Sequence, residues 1–382
     1  MDFNLNEDLT LLRDMVRKFA TTQVAPVAEK NDREHLFPTD LVRQAAEEGL
    51  MGATVAEQYG GSEFGTMGIS LITEELARAC ASTAVTISVH GSLVCAPIGR
   101  FGSEDLKQRY LPKLASGEML GAYALTEANA GSDAANQQAK AEKVGDKWVL
   151  NGTKLWITSG AHADLFVVFA RTSQEEKKHQ GITAFVVEKE SKGIRAGKLE
   201  EKCGIRSSST TEIILENCEV PESNVLGEVG GGFKIAMDTL DGGRIGIASQ
   251  SLGIAQACLE ASTKYSQERE QFGRPIASFQ AIQWKLARMA TDIELGRLLT
   301  RKAAWLRDRG EPCSKEAAMA KLHCSVMCNR AADEAVQIHG GAGYTTDFPV
   351  ERYFRDARIT EIYEGTTEIQ HLVIAKHVLA GA

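Results

Sequence analysis

The period of the hydrophobic residues changes twice along these 382 residues, from helical to strand-like and back. Apolar side chains spaced three and four apart line one face of a helix, and strict alternation lines one face of a strand. Each change therefore marks where one kind of packing unit gives way to another. Leu9, Leu12, Met15, Val16 and Phe19 keep the helical spacing behind Asn6, a residue suited to cap a helix N-terminus. Pro38 and Gly49 bracket a second helical stretch, proline at its start and glycine past its end. Further helices are predicted over 68–80 and 85–101.

From about 120 to 225 the period is two. Lys147 to Thr158 reads as a strand, an Asn151-Gly152 turn and a second strand, because Asn-Gly readily supplies the two positive φ angles of a type I′ hairpin. Segments 165–170, 183–188 and 210–216 read as further strands. Short strands at this spacing, with no helices between them, predict a small antiparallel barrel or sandwich. Long helical patterns return over 233–267, 280–308 and 315–338, as in an up-and-down bundle. Thr367-Glu368-Ile369-Gln370 has the form of a capping box that opens a last helix. The expected fold is α+β and multidomain: a helical domain over 1–119, a β domain over 120–230 and a helical domain over 231–382.

A net charge of −8 argues against nucleic acid as a partner, since phosphate neutralisation needs a basic surface. Eight cysteines occur with no C-x-x-C pair, so no zinc knuckle, no redox pair and no metal site are expected, and Cys324 and Cys328 read as small buried hydrophobes. The first eight residues are acidic and carry no apolar signal core. The longest strongly apolar stretch is read at 165–170, too short to span a bilayer. A soluble protein without membrane insertion is expected, in a bacterial cytoplasm or as a mature mitochondrial-matrix form.

No G-x-G-x-x-G, Walker loop, H-E-x-x-H or G-x-S-x-G is present, so Rossmann dinucleotide binding and the common hydrolase chemistries lose their support. What remains are polar, glycine-rich segments in apolar surroundings. Tyr123-Ala124-Leu125-Thr126-Glu127, continuing to Ser132 and Asp133, can bind a polar ring edge or a phosphate, and reads equally as a domain-junction turn. Trp156 and Thr158 fall at i and i+2 of a strand, where an indole can cover a planar cofactor and a hydroxyl can reach a ring nitrogen; a strand tryptophan also serves as core. Gln337-Ile338-His339-Gly340-Gly341 ends a long helix in bare backbone, which suits either close approach to a cofactor or a glycine cap. Glu364, between Tyr363 and Gly365, is either a solvated loop carboxylate or a base whose affinity for a proton is raised by an apolar site.

Taken together, Tyr-Ala-Leu-Thr-Glu at 123–127, Trp-Ile-Thr at 156–158, Glu-Arg-Glu-Gln-Phe-Gly at 268–273, Gln-Ile-His-Gly-Gly at 337–341, Arg-Asp-Ala-Arg at 355–358 and Ile-Tyr-Glu-Gly-Thr at 362–366 resemble the acyl-CoA dehydrogenase family over essentially the whole chain. The resemblance implies an N-terminal helical domain, a middle β domain and a C-terminal four-helix bundle. It also implies FAD as cofactor, an electron-transferring flavoprotein as redox partner and a homotetramer built as a dimer of dimers. Tyr123, Leu125, Thr126, Trp156 and Thr158 would surround the flavin ring. Arg269, Gln271, Phe272 and Gln280 would reach the FAD of a neighbouring subunit. Gln337, Gly340 and Gly341 would meet the adenine half, and Thr366 and Glu368 would complete the cofactor site. Ser132, which could also touch the cofactor, Asp241, Gly243, Arg244 and Gly365 would line the CoA-thioester channel.

In the mechanism that the resemblance implies, Glu364 removes the α-proton of the acyl thioester as the β-hydrogen leaves as hydride to the flavin, giving a trans-2-enoyl-CoA. Hydrogen bonds from the Glu364 backbone N–H and the flavin ribityl chain would stabilise the enolate-like charge. Some relatives carry their catalytic glutamate just before the arginine of the Leu240–Ile245 string; here that position is Gly243, which leaves the role to Glu364. The wording is most similar to short-chain, butyryl-type members, with 82–93 a candidate pocket floor. A branched-chain dehydrogenase, an oxidase and a catalytically silent acyl-CoA-binding relative are the competing readings.

Overall fold

The computed structural model describes residues 4–381; Met1, Asp2 and Phe3 of the acidic N-terminus lie outside them. Helix α1 (Glu7–Phe19) starts where expected, with the Asn6 side chain accepting from the Leu9 N–H at 2.9 Å. After α2 (Ala25–Glu34), α3 (Thr39–Glu47) buries Leu41, Val42 and Ala45 and gives way to Gly49 in the left-handed region, φ 74°. Helix α4 (Gly65–Ala79) is followed by an almost unbroken run of α5 (Ala81–Val89), a π-helical segment (His90–Cys95) and α6 (Ala96–Phe101), and then by α7 (Glu104–Ala115).

That run corrects one expectation. Ala81–Phe101, rather than 165–170, is the longest apolar stretch, long and apolar enough by length and composition to cross a membrane. Within the fold, 94% of its most apolar window is buried, covered by neighbouring helices, so its hydrophobicity is accounted for as core.

The middle region holds β1 (Gly121–Ala124), β2 (Lys140–Val144), β3 (Lys147–Thr158), β4 (Leu165–Arg171), β5 (Ile182–Glu188), β6 (Ile194–Leu199), β7 (Thr210–Pro221) and β8 (Val225–Leu226). The sheet is mixed rather than wholly antiparallel. Most neighbours run antiparallel, but β1 lies parallel to β4, with Tyr123 opposite Val167. The β2–β3 excursion between them gives the chain room to return in the same direction. Side chains of β4 alternate between two cores: Leu165, Val167 and Phe169 face the helices, while Phe166, Val168 and Ala170 pack inside the rolled sheet with Trp148, Phe185 and Ile213.

Asn151-Gly152 is not a hairpin turn. The tight turn is Gly145-Asp146, joining β2 to β3 with Gly145 at φ 63°, and Asn151-Gly152 forms a register shift inside one long β3. Permission for unusual φ is spent on a bulge: Gly152 sits at φ 150°, and a Cβ there would meet the Ala139 Cβ at 2.6 Å.

The C-terminal region contains α8 (Gly232–Glu268), a small hairpin of β9 (Glu270–Gln271) and β10 (Arg274–Pro275), α9 (Gln280–Asp308), α10 (Ser314–His339), α11 (Val350–Arg358) and α12 (Thr367–Leu379). Helices α8, α9, α10 and α12 make the bundle, and α4 docks on α8 and α9, which runs the N-terminal and C-terminal cores together. The last helix is capped by Thr366 rather than Thr367, its hydroxyl accepting from the Ile369 N–H. Gln370 does not reach back as a capping-box partner; its side chain donates to the Gly365 carbonyl at 2.7 Å.

Candidate active site

Glu364 lies in the short link between α11 and α12, in a backbone conformation that few non-glycine residues adopt: φ is 51° at Glu364 and 96° at Gly365. The turn is held from two sides. Lys321 Nζ on α10 and Gln370 Nε2 both donate to the Gly365 carbonyl at 2.7 Å, and the Tyr363 hydroxyl bonds to Gln250 on α8. This aims the Glu364 side chain inward. Its Oε2 is enclosed and has no hydrogen-bond partner among the described residues. Burial pushes its pKa up to about 7, and the charges of Lys321 and Arg244 act in the opposite sense.

The Gly243 position is explained by that carboxylate. A Cβ at Gly243 would stand 2.0 Å from Glu364 Oε2 and 2.9 Å from Leu93 Cδ2. The two positions cannot both carry a side chain pointing here. Next along α8, Arg244 Nη1 donates to Asp241 Oδ1 at 2.6 Å, Ser314 bonds the other Asp241 oxygen, and Arg244 Nε is buried without a partner. Tyr123, on β1, has a buried hydroxyl that is also unpartnered; burial and the nearby Glu364 charge raise its pKa well above the ordinary tyrosine value.

A second group gathers around the end of β3. The Leu155 N–H donates to the Thr126 carbonyl at 2.8 Å, tying the segment with Leu125 and Thr126 to the strand with Trp156 and Thr158. Beneath it, Lys154 is buried and donates to the Leu125 carbonyl (3.0 Å), Glu127 (2.7 Å) and Gln137 (2.9 Å). The strand bulges here, with Trp156 at φ 61° and its side chain 60% exposed, so it is not core. Thr158 is half-buried and pairs with Thr210. Ser159, Ser207, Ser208 and Ser209 all bury hydroxyls that find no partner, and the Ser159 N–H donates to the Ser209 carbonyl at 2.7 Å. Orphaned hydroxyls beside an exposed indole and a strained bulge are what a polar, planar cofactor needs. The residues present fit a flavin.

The remaining predicted residues lie on other segments. Arg269 and Gln271 are exposed at the α8 end and on β9, and Phe272, 92% exposed at φ 54°, forms the hairpin tip with Gly273. Gln280 opens α9; Gln337, Gly340 and Gly341 are exposed at the end of α10; Ser132 is exposed beyond the Thr126 segment; Thr366 and Glu368 sit at the α12 start. Arg269, Gln271 and Phe272 share the hairpin that leads into Gln280, and Glu368 lies near enough to Lys321 for its charge to act there. Sequence reading missed the buried serines and Lys321; Ser-Ser-Ser at 207–209 was visible as a run, whereas a lysine within a helical pattern carries no signal of burial.

Three family models match in order: acyl-CoA dehydrogenase N-terminal domain over 6–118, middle domain over 122–218 and C-terminal domain over 230–379. The chain belongs to the acyl-CoA dehydrogenase family. It is an oxidoreductase, and FAD is the cofactor of its class. The mouse mitochondrial short-chain specific acyl-CoA dehydrogenase is 50% identical over 98% of this chain and 91% of its own length. The butyryl-CoA dehydrogenase of Megasphaera elsdenii superposes with a TM-score of 0.97 at 44% identity, covering 99% of this chain and all of that one. A chain in a structure of the electron transferring flavoprotein of Acidaminococcus fermentans, studied for flavin-based electron bifurcation, superposes with a TM-score of 0.98 at 48% identity, covering 99% and 100%.

Proposed function

We propose that this acyl-CoA dehydrogenase acts on short-chain acyl-CoA thioesters and that Glu364 is its base. The observation that carries the reading is the enclosed, unpartnered Oε2 of Glu364, on a carboxyl group that burial pushes up to about 7. A base of that kind is ionised at physiological pH yet strong enough to take a weakly acidic α-proton. Arg244, fixed by Asp241, would hold the substrate, and Leu93, pressed against the Gly243–Glu364 contact, would shorten the room for the acyl chain. The identities to short-chain specific relatives support the same substrate class.

Trp156, Thr158, Leu125, Thr126 and the buried serines would hold the flavin, which when bound supplies a hydride acceptor. Tyr123, Tyr363 and Leu93 would keep water from the proton transfer. The strained Phe272 hairpin, with Arg269, Gln271 and Gln280, would reach a neighbouring subunit, and Gln337, Gly340 and Gly341 would take part in the same inter-subunit site. The exposed apolar side chains of Trp284, Leu295 and Trp305 on α9 and of Leu372 and Leu379 on α12 support burial in a homotetramer. Electrons would pass to an electron-transferring flavoprotein. The domain limits proposed are 1–119, 120–230 and 231–382.

The deciding experiment is anaerobic titration of the flavoenzyme with acyl-CoAs of four to sixteen carbons. Bleaching strongest with butyryl-CoA is expected, and none in Glu364→Gln despite retained yellow colour. Bleaching confined to long or branched chains would discard the substrate class, and bleaching in the variant would move the base elsewhere.

A further inference from the structure

Lys321 has no part in the mechanism described so far, and its position is costly. The side chain is completely buried, and no carboxylate lies within ion-pair distance of it among the described residues. A buried ammonium with no direct counter-ion is rarely kept without a use. Burial pulls its pKa down to about 8, and the surrounding charges that act on it are Glu364, Glu361 and Glu368, with Arg244 opposed. Its 2.7 Å hydrogen bond ends on the Gly365 carbonyl, one peptide beyond the base. Gln370 occupies the same oxygen from the other side. Together they saturate a carbonyl whose orientation is set by the left-handed Glu364–Gly365 pair, a conformation that persists only where the surroundings over-determine it.

We propose that Lys321 is a positioning residue for proton transfer at Glu364. Its ammonium, fixed on the Gly365 carbonyl, holds the strained turn and supplies positive charge beside which the carboxylate ionises. The groups facing Glu364 divide clearly. From α8 comes Arg244, already engaged with Asp241; from β1 and the turn itself come the neutral hydroxyls of Tyr123 and Tyr363; from α10 comes Lys321. Arg244 is shared with a carboxylate, so Lys321 is the less compensated of the two cations. Both lower the proton affinity of Glu364; losing Lys321 leaves the base protonated to a higher pH.

This inference rests on Glu364 being the base, and its test separates the two. Anaerobic flavin reduction by butyryl-CoA is followed by stopped flow from pH 5.5 to 9 in wild type, Lys321→Met, Lys321→Gln and Glu364→Gln. The acidic limb of the rate profile should move up by roughly one pH unit in both lysine variants, with about a tenfold loss at pH 6. Lys321→Gln, which still can donate to Gly365, should recover the wild-type plateau at pH 9, whereas Lys321→Met should fall below it. FAD content should be unchanged in both. If Lys321→Met yields no holoenzyme, Lys321→Gln decides alone. A limb that stays in place, with only a uniform loss of rate, reduces Lys321 to a staple and overturns the proposal. Reduction surviving in Glu364→Gln removes the base reading, and the Lys321 proposal falls with it.

Discussion

A carboxylate forced to ionise inside a protein destabilises the fold that holds it. The folded-state pKa of Glu364 is raised from 4.5 to about 7, so folding favours the protonated form. The cost of holding the charge is absent below the unfolded pKa and fully present above about 7. Glu364→Gln should therefore raise Tm by a few degrees at pH 8, and by little at pH 5. A calorimetric scan at the two values checks this; an equal gain at both would mean that Glu364 is better solvated than its geometry indicates. The identity of this residue was legible in the sequence through its neighbours Tyr363 and Gly365 and through the five other motifs. Its environment was not. Enclosure of Oε2 depends on Gly243 and Leu93, which are 121 and 271 positions away in the chain, and no local pattern encodes that approach.

At the scale of elements, helices were easier to read than strands. Periodicity placed α9 and α10 to within a residue or so, because each buries one continuous stripe. Strand β3 defeated the reading at Asn151-Gly152, since a dipeptide that permits positive φ does not say whether the chain will turn or bulge. Gly152→Val tests the bulge. Its Cβ would lie 2.6 Å from Ala139 Cβ at a φ that valine resists, and a loss of about 1–3 kcal/mol in urea unfolding is expected. A neutral result would show that β2 and β3 can slip apart without cost. The same strand carries Trp156 and Thr158 at its far end, so its register also sets where the indole stands.

For the molecule as a whole, one arginine links the three regions. Arg355 on α11 donates to Asp32 on α2 at 2.7 Å, to Glu351 at 2.8 Å and to the Cys203 carbonyl at 3.3 Å. Asp356, its neighbour, accepts from the Ile205 N–H at 2.5 Å. Arg355→Leu leaves the buried Asp32 carboxylate uncompensated and should cost roughly 3 kcal/mol, read as a lower midpoint in denaturant. An unchanged midpoint would mean that the regions are joined by apolar packing alone. The three-part order was legible from periodicity, but this junction was not, because its partners are 323 and 152 residues apart in sequence.

The buried run Ala81–Phe101 also bears on how the chain is made. Helix α4 precedes it and packs on α5, but part of its cover arrives late: Gln250 bonds the Ala81 carbonyl at 3.0 Å, and Gly246 lies against Ser88. Synthesis from the N-terminus at about 5–20 residues per second leaves this membrane-like segment waiting on the order of ten seconds for α8 to emerge. The nascent chain thus passes through a stage in which its most hydrophobic run is covered on the α4 side but still bare where α8 will lie, and the demand for chaperones should peak there rather than at the finished protein.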